Sequence, residues 1–204
     1  RKDAALANAG GGGAGAPAEA AGGGVADSSI DQLIKEANQR VTQSNVAQGG
    51  TLANLPVTFV VGDRGSTKTS AVVYSGMEPE LLAGAVYTDG NMIAPSNVNI
   101  WYAKGLVFTE AGGPVFANPA SWKALMKSLK PGSWKSLVGK GQQAPRGVLL
   151  CFDIESFGAQ NAADAIATSS RFIQARLAEM SETLGISFPV YVLFTRTDRV
   201  PFFT

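Results

Sequence analysis

Apolar residues recur at Ile30, Leu33, Ile34, Ala37 and Val41, the three-and-four spacing of a helix with one buried face. Ser29 and Gln32 form an S-x-x-Q capping box at its start, so a helix is predicted over residues 30–44. The pattern then changes. Leu55-Pro56-Val57-Thr58-Phe59-Val60-Val61 is a short, β-branched apolar run bounded by Gly62, which predicts a central buried strand, with a helix over residues 66–74 after it. Residues 97–102 and 105–108 read as two strands of a hairpin turning at Ala103-Lys104.

Asn118 is placed to cap a helix that begins at Pro119 and carries Trp122, Leu125, Met126 and Leu129 on one face. Residues 147–152 form a second wholly apolar strand ending at Asp153. A long helix is predicted over 161–184, with Phe172, Ile173, Leu177 and Met180 on its inner side and Arg176 over the edge of the stripe. The last strand spans 189–194 and runs into Thr195-Arg196-Thr197-Asp198. This alternation predicts a three-layer α/β/α domain with a mostly parallel sheet and one antiparallel hairpin.

Residues 4–26 are mostly Ala and Gly and cannot bury enough side chain to offset the ordering of their backbone. Residues 1–26 therefore read as a flexible linker and residues 27–204 as one domain. The chain starts at Arg1-Lys2-Asp3 without Met and stops at Pro201-Phe202-Phe203-Thr204, which predicts a piece of a longer protein, truncated at its C-terminus. With 17 basic against 16 acidic residues, no global field points to nucleic acid. Histidine is absent and Cys151 is the one cysteine, which removes His-based acid–base chemistry, disulfides and ordinary zinc sites. Cys151 sits in an apolar strand and reads as packing. No apolar stretch reaches the ~18 to 20 residues needed to cross a bilayer, and the start lacks a secretory signal pattern.

Chemistry gathers first at Gly62-Asp63-Arg64-Gly65-Ser66-Thr67-Lys68-Thr69. A phosphate loop needs glycines so that backbone N–H groups point inward, a Lys for the outer phosphates and a Ser or Thr hydroxyl for Mg²⁺. A buried strand before this loop and a helix after it are the required context, so the expected fold is a P-loop NTPase of small G-protein-like type. Thr67 departs from the pattern, because Gly normally precedes the Lys and a Cβ there restricts backbone approach to phosphate. Thr69 is the expected Mg²⁺ ligand, with GTP or ATP as the nucleotide.

Where related folds carry Asp-x-x-Gly for Mg²⁺ and the terminal phosphate, this chain has Thr109-Glu110-Ala111-Gly112. The Asp is missing. Glu110 and Gly112 remain candidates for that region, although strand alternation turns Glu110 to the face opposite position 109 unless the backbone bends. Gly113 follows where a water-orienting side chain is often found, and it has none. Arg64 reads as a solvated loop residue, the alternative being an arginine finger. Thr195, Arg196 and Asp198 match a [NT]-K-x-D base-recognition motif, whose Asp accepts hydrogen bonds from guanine N1 and N2.

Leu55-Pro56 leading into the loop, Trp101 to Gly112, and Pro189 to Asp198 together resemble the cytoplasmic NTPase-like domain of the TssM/IcmF family, inner-membrane scaffolds of bacterial type VI secretion systems. The Arg- and Leu-rich stretch 171–184 is similar to a helix of that family, so the resemblance spans about residues 30–203. It implies a domain on the cytoplasmic face of the inner membrane, tethered through transmembrane helices of the parent protein and contacting other secretion-complex subunits. The departures at Thr67, Thr109 and Gly113 predict nucleotide binding with weak or no hydrolysis. Two alternatives stand beside it: an active GTPase switch that uses Glu110, and a nucleotide-free protein-interaction module.

Overall fold

A computed structural model describes residues 22–43, 51–130 and 144–200, with side chains described from residue 28 onward. Helix α1 (Gly22–Gln43) buries Ile30, Ile34, Ala37 and Val41, the stripe expected from spacing. It starts earlier than expected. Residues 22–26 belong to the helix and not to a linker, and the rest of the expected linker lies outside the described residues. Ser29 is therefore interior to the helix and does not cap it; its hydroxyl accepts a hydrogen bond from Asn97 Nδ2 at 3.0 Å.

Strand β1 (Val57–Val61) enters the loop that ends in helix α2 (Lys68–Val73). A segment not foreseen follows: β2 (Glu80–Ala83) and a small hairpin of β3 (Tyr87–Thr88) and β4 (Asn91–Met92) turning at Asp89-Gly90. β5 (Val98–Ala103) and β6 (Leu106–Ala111) form the expected antiparallel pair, with Lys104 and Gly105 both at positive φ in a two-residue turn. Then come α3 (Gly113–Ala117), α4 (Pro119–Ser128), β7 (Arg146–Asp153), α5 (Ala162–Leu184) and β8 (Val190–Thr195). Asn118 caps α4 as its sequence position suggested, its Oδ1 accepting from the amides of Ala120 and Ser121.

The six-stranded sheet has the order β2-β5-β6-β1-β7-β8. β6, β1, β7 and β8 are parallel neighbours, while β2–β5 and β5–β6 are antiparallel. A mixed α/β fold with a mostly parallel sheet is thus observed. Val57, Phe59 and Val61 point to one face, where Ile30, Trp122, Leu125, Ile173 and Met180 cover them from α1, α4 and α5. Val60 points to the other face and packs with Val72 of α2 and with Trp101, Phe108 and Cys151. Arg176 is buried and not at the rim, its guanidinium 5.5 Å from the centre of the Phe172 ring and paired with Glu179 at 2.9 Å.

Parallel strands all present their C-terminal ends at one edge of the sheet. Loops leaving β1, β7 and β8 therefore converge there, which brings residues 62–69, 153–155 and 195–199 together. Arg146 holds the opposite edge. Its guanidinium donates to the carbonyls of Ala53, Leu55 and Leu129, and burial lowers its pKa to about 10. Among the described residues no helix is long and apolar enough to cross a membrane.

Candidate functional site

Gly62 leaves β1 with φ 148°, and a Cβ there would stand 2.2 Å from the Cys151 carbonyl oxygen, so glycine is required by the packing of two adjacent strands. Ser66 closes the turn by donating from its amide and its hydroxyl to the Asp63 carbonyl, at 3.2 and 2.9 Å. Asp63 and Arg64 are exposed, and the Asp63 carboxylate accepts from Ser169 of α5 at 2.6 Å. Gly65 has φ 87° with no neighbour that a Cβ would meet. Thr67 adopts φ 55° and ψ 32° immediately before α2, a left-handed conformation in which a β-branched residue is strained.

Lys68 is buried and reaches back over the loop, its Nζ donating to the carbonyls of Gly62 and Asp63, each at 3.0 Å. Burial lowers its pKa, while Glu110 pulls in the opposite direction. Thr69, also buried, donates its hydroxyl to Glu110 Oε1 at 2.5 Å. Glu110 Oε2 accepts from Asn99 Nδ2 at 3.1 Å, and Asn99 Oδ1 accepts the amide of Ala85 at 3.0 Å. Burial raises the Glu110 pKa against the opposing pull of these hydrogen bonds and of Lys68.

Strand register explains why Glu110 meets Thr69. Val60 of β1 pairs with Glu110, and Phe59 pairs with Thr109, so Glu110 shares the α2 face while Thr109 shares the face of α4 and α5. Glu110 does face away from position 109, as alternation requires, but that side is the one carrying the loop. No bend of the backbone is needed. Thr109 is fully buried and its hydroxyl has no hydrogen-bond partner.

Gly112 sits at the expected end of β6, with its amide donated to the Asn97 carbonyl at 2.7 Å. A Cβ on it would meet the Pro95 carbonyl oxygen at 2.4 Å, so this glycine serves the close approach of two backbones. Residues 94–96, Gly113, Phe116 and Phe172 face Gly62, Asp63 and Arg64 across an open cleft of about 520 Å³. Arg64 is the cationic side chain lining that cleft.

Thr195 joins the third element to the loop, its hydroxyl lying 3.2 Å from the Ser66 carbonyl oxygen and 3.3 Å from that of Phe152. Arg196 has φ 57° and is drawn into an ion cluster, 2.5 Å from Asp153 and 3.4 Å from Glu155, which also binds Arg199 at 3.1 Å. Asp198 is exposed in the turn Thr197–Arg199. The fold thus brings the loop, Glu110 and Thr195 into one contiguous network and leaves Asp198 in solvent beside it. Asn99 and Asp153 were not singled out from sequence. Asn99 is a polar residue in an otherwise apolar strand, which was the readable sign.

A divalent ion expected beside Thr69 would need oxygen donors turned toward it. Here the Thr69 hydroxyl and the Glu110 carboxylate are engaged with each other, and no group of three or more His, Cys, Asp or Glu able to hold a metal occurs among the described residues. Cys151 is buried and its pKa is raised to about 11 by burial, in keeping with a packing role.

Residues 118–204 match the family described as the IcmF-related N-terminal domain. A type VI secretion system component, TssM1 of Pseudomonas aeruginosa, is 27% identical over 163 residues, covering 74% of this chain. The chain spans 14% of that relative's length. Among solved structures, the small COPII coat GTPase SAR1 of Encephalitozoon cuniculi in complex with GDP is 9% identical, with 84% of this chain and 80% of that one covered and a TM-score of 0.27, too low to carry an argument.

Proposed function

Because the chain belongs to the TssM/IcmF family, we propose that it is a P-loop NTPase-like domain of a type VI secretion membrane complex, binding GTP or ATP with weak or no hydrolysis. In this reading it works at the cytoplasmic face of the bacterial inner membrane, carried by transmembrane helices elsewhere in the parent protein and contacting other subunits of the complex.

Lys68 supports the nucleotide part most directly. Its ammonium lies across the mouth of a strand–loop–helix turn, held by the Gly62 and Asp63 carbonyls where a phosphate would otherwise engage it. Thr195 braces the same loop from β8, which supports a base-side role for the neighbouring turn that carries Asp198. What surrounds the loop supports weak turnover. The Gly112 amide is spent on Asn97, and Gly113 offers no side chain to orient water.

Titration of the protein with GTP and ATP, comparing wild type with Lys68→Ala and Asp198→Ala, tests this. Binding lost in Lys68→Ala and a GTP preference lost in Asp198→Ala are expected. GTP turnover at about 1 per second or faster, abolished by Lys68→Ala, would instead make the protein an active GTPase switch.

A second reading, a nucleotide-free interaction module, is favoured by one observation: the polar ends of Lys68 and Thr69 are both satisfied by protein groups. Absence of binding to either nucleotide would decide for it.

A further inference from the structure

Mg²⁺ demands near-octahedral oxygen coordination at about 2.0–2.1 Å and gives up its water reluctantly. Two neighbouring oxygens of such a sphere stand roughly 2.9 Å apart. Thr69 Oγ1 and Glu110 Oε1 are 2.5 Å apart, the distance of a direct hydrogen bond between them. The other carboxylate oxygen is held by Asn99, and Asn99 is held by the Ala85 amide. Glu110 is also completely buried. Glu110, and not residue 109, is the acidic side chain on the loop's face of the sheet, and both of its oxygens are taken up by Thr69 and Asn99. The residues present do not fit a metal centre at Thr69.

They do accomplish part of what such a centre accomplishes. A metal bridging hydroxyl and phosphate would fix the first turn of α2 and supply positive charge. Here the first turn is fixed from inside the sheet, because Thr69 of α2 is tied to β6, β6 to β5, and β5 to the segment that begins at Ala85. Positive charge at the loop comes from Lys68, held by the Gly62 and Asp63 carbonyls, and from Arg64 on the cleft side.

We infer that Glu110 is a positioning residue standing in place of the metal: it holds Thr69 and the start of α2, and phosphate binds through Lys68 and the loop amides without a divalent ion. The ligand in this inference rests on the nucleotide reading above, whereas the Thr69–Glu110 latch does not. Nucleotide bound to this loop gains nothing from Mg²⁺, and freeing the Thr69 hydroxyl creates a metal dependence that the native protein lacks.

The test is calorimetric titration of wild type and Glu110→Ala with GTP and ATP, in EDTA and in millimolar Mg²⁺. For wild type, affinities within about twofold between the two buffers are expected; for Glu110→Ala, a gain of about tenfold or more in Mg²⁺. Glu110→Ala binding weakened equally in both buffers would mark Glu110 as merely structural and overturn the inference. Wild-type binding that tightens about tenfold with Mg²⁺ overturns the inference and leaves the nucleotide reading intact. If neither nucleotide binds in either buffer, the nucleotide reading falls and amide exchange decides the latch. Exchange at the hydrogen-bonded amides from Ala71 to Tyr74 accelerated about tenfold or more in Glu110→Ala supports it, and unchanged exchange overturns it.

Discussion

The hydroxyl of Thr69 donates to the Glu110 carboxylate across 2.5 Å, joining the first turn of α2 to strand β6 in the interior of the protein. A buried carboxylate that loses a partner keeps its desolvation cost. Thr69→Val removes the donor with little change of shape, and a loss of about 1–3 kcal/mol in stability is expected by urea denaturation.

The same pair sets a pH dependence. Glu110 is raised from its ordinary value of 4.5 chiefly by burial, so the folded state holds its proton at pH values where the unfolded chain has released it. Its contribution to stability is fully present below 4.5 and is lost as pH rises through the raised folded value. Lys68 is lowered from 10.5, so the folded state releases its proton first, and stability from this group increases with pH between its lowered value and 10.5. Stability measured against pH should therefore decline above 4.5 in wild type, and that part of the decline should vanish in Glu110→Gln.

Thr67 holds φ 55° where glycine would be at ease. Left-handed geometry costs a non-glycine residue on the order of 1–3 kcal/mol, of which part is offset by the greater freedom glycine has when unfolded. Thr67→Gly is expected to stabilise the protein by about 1 kcal/mol, read as an upward shift of the urea midpoint.

Two glycines of the loop separate steric need from conformational need. Gly62→Ala places a Cβ 2.2 Å from the Cys151 carbonyl oxygen, and strand β7 cannot yield without breaking its pairing with β1. Gly65→Ala meets no atom and bears only the strain of φ 87°. Thermal denaturation should show Gly62→Ala failing to fold or losing several degrees more than Gly65→Ala, which should lose about 1 kcal/mol.

Much of this arrangement was legible in the sequence, because local chemistry and global fold agree there. The β-branched run at Val57 to Val61 and the glycine after it announced β1 and its loop, and Asn118-Pro119 announced a capped helix that the structure contains. β2 was not legible: Glu80-Leu81-Leu82-Ala83 has no β-branched residue, and only pairing with β5 makes it a strand. The β3–β4 hairpin was missed although Asp89-Gly90, both at positive φ, is a readable turn signal. The start of α1 in a Gly- and Ala-rich stretch ran against its composition. At the site, the face of Glu110 could be read from alternation, but which face carries α2 is decided by tertiary packing of Val72 on Val60.

Lys68 and the loop around it are proposed to bind a nucleoside triphosphate and to turn it over poorly. The most direct measurement is a titration with GTP and ATP followed by single-turnover hydrolysis on the same samples, for wild type and Lys68→Ala. Saturable binding to wild type, weakened about tenfold or more in Lys68→Ala, with hydrolysis far below about 1 per second, is the predicted result. Equal affinity in the two proteins, or rapid hydrolysis by wild type, would contradict it.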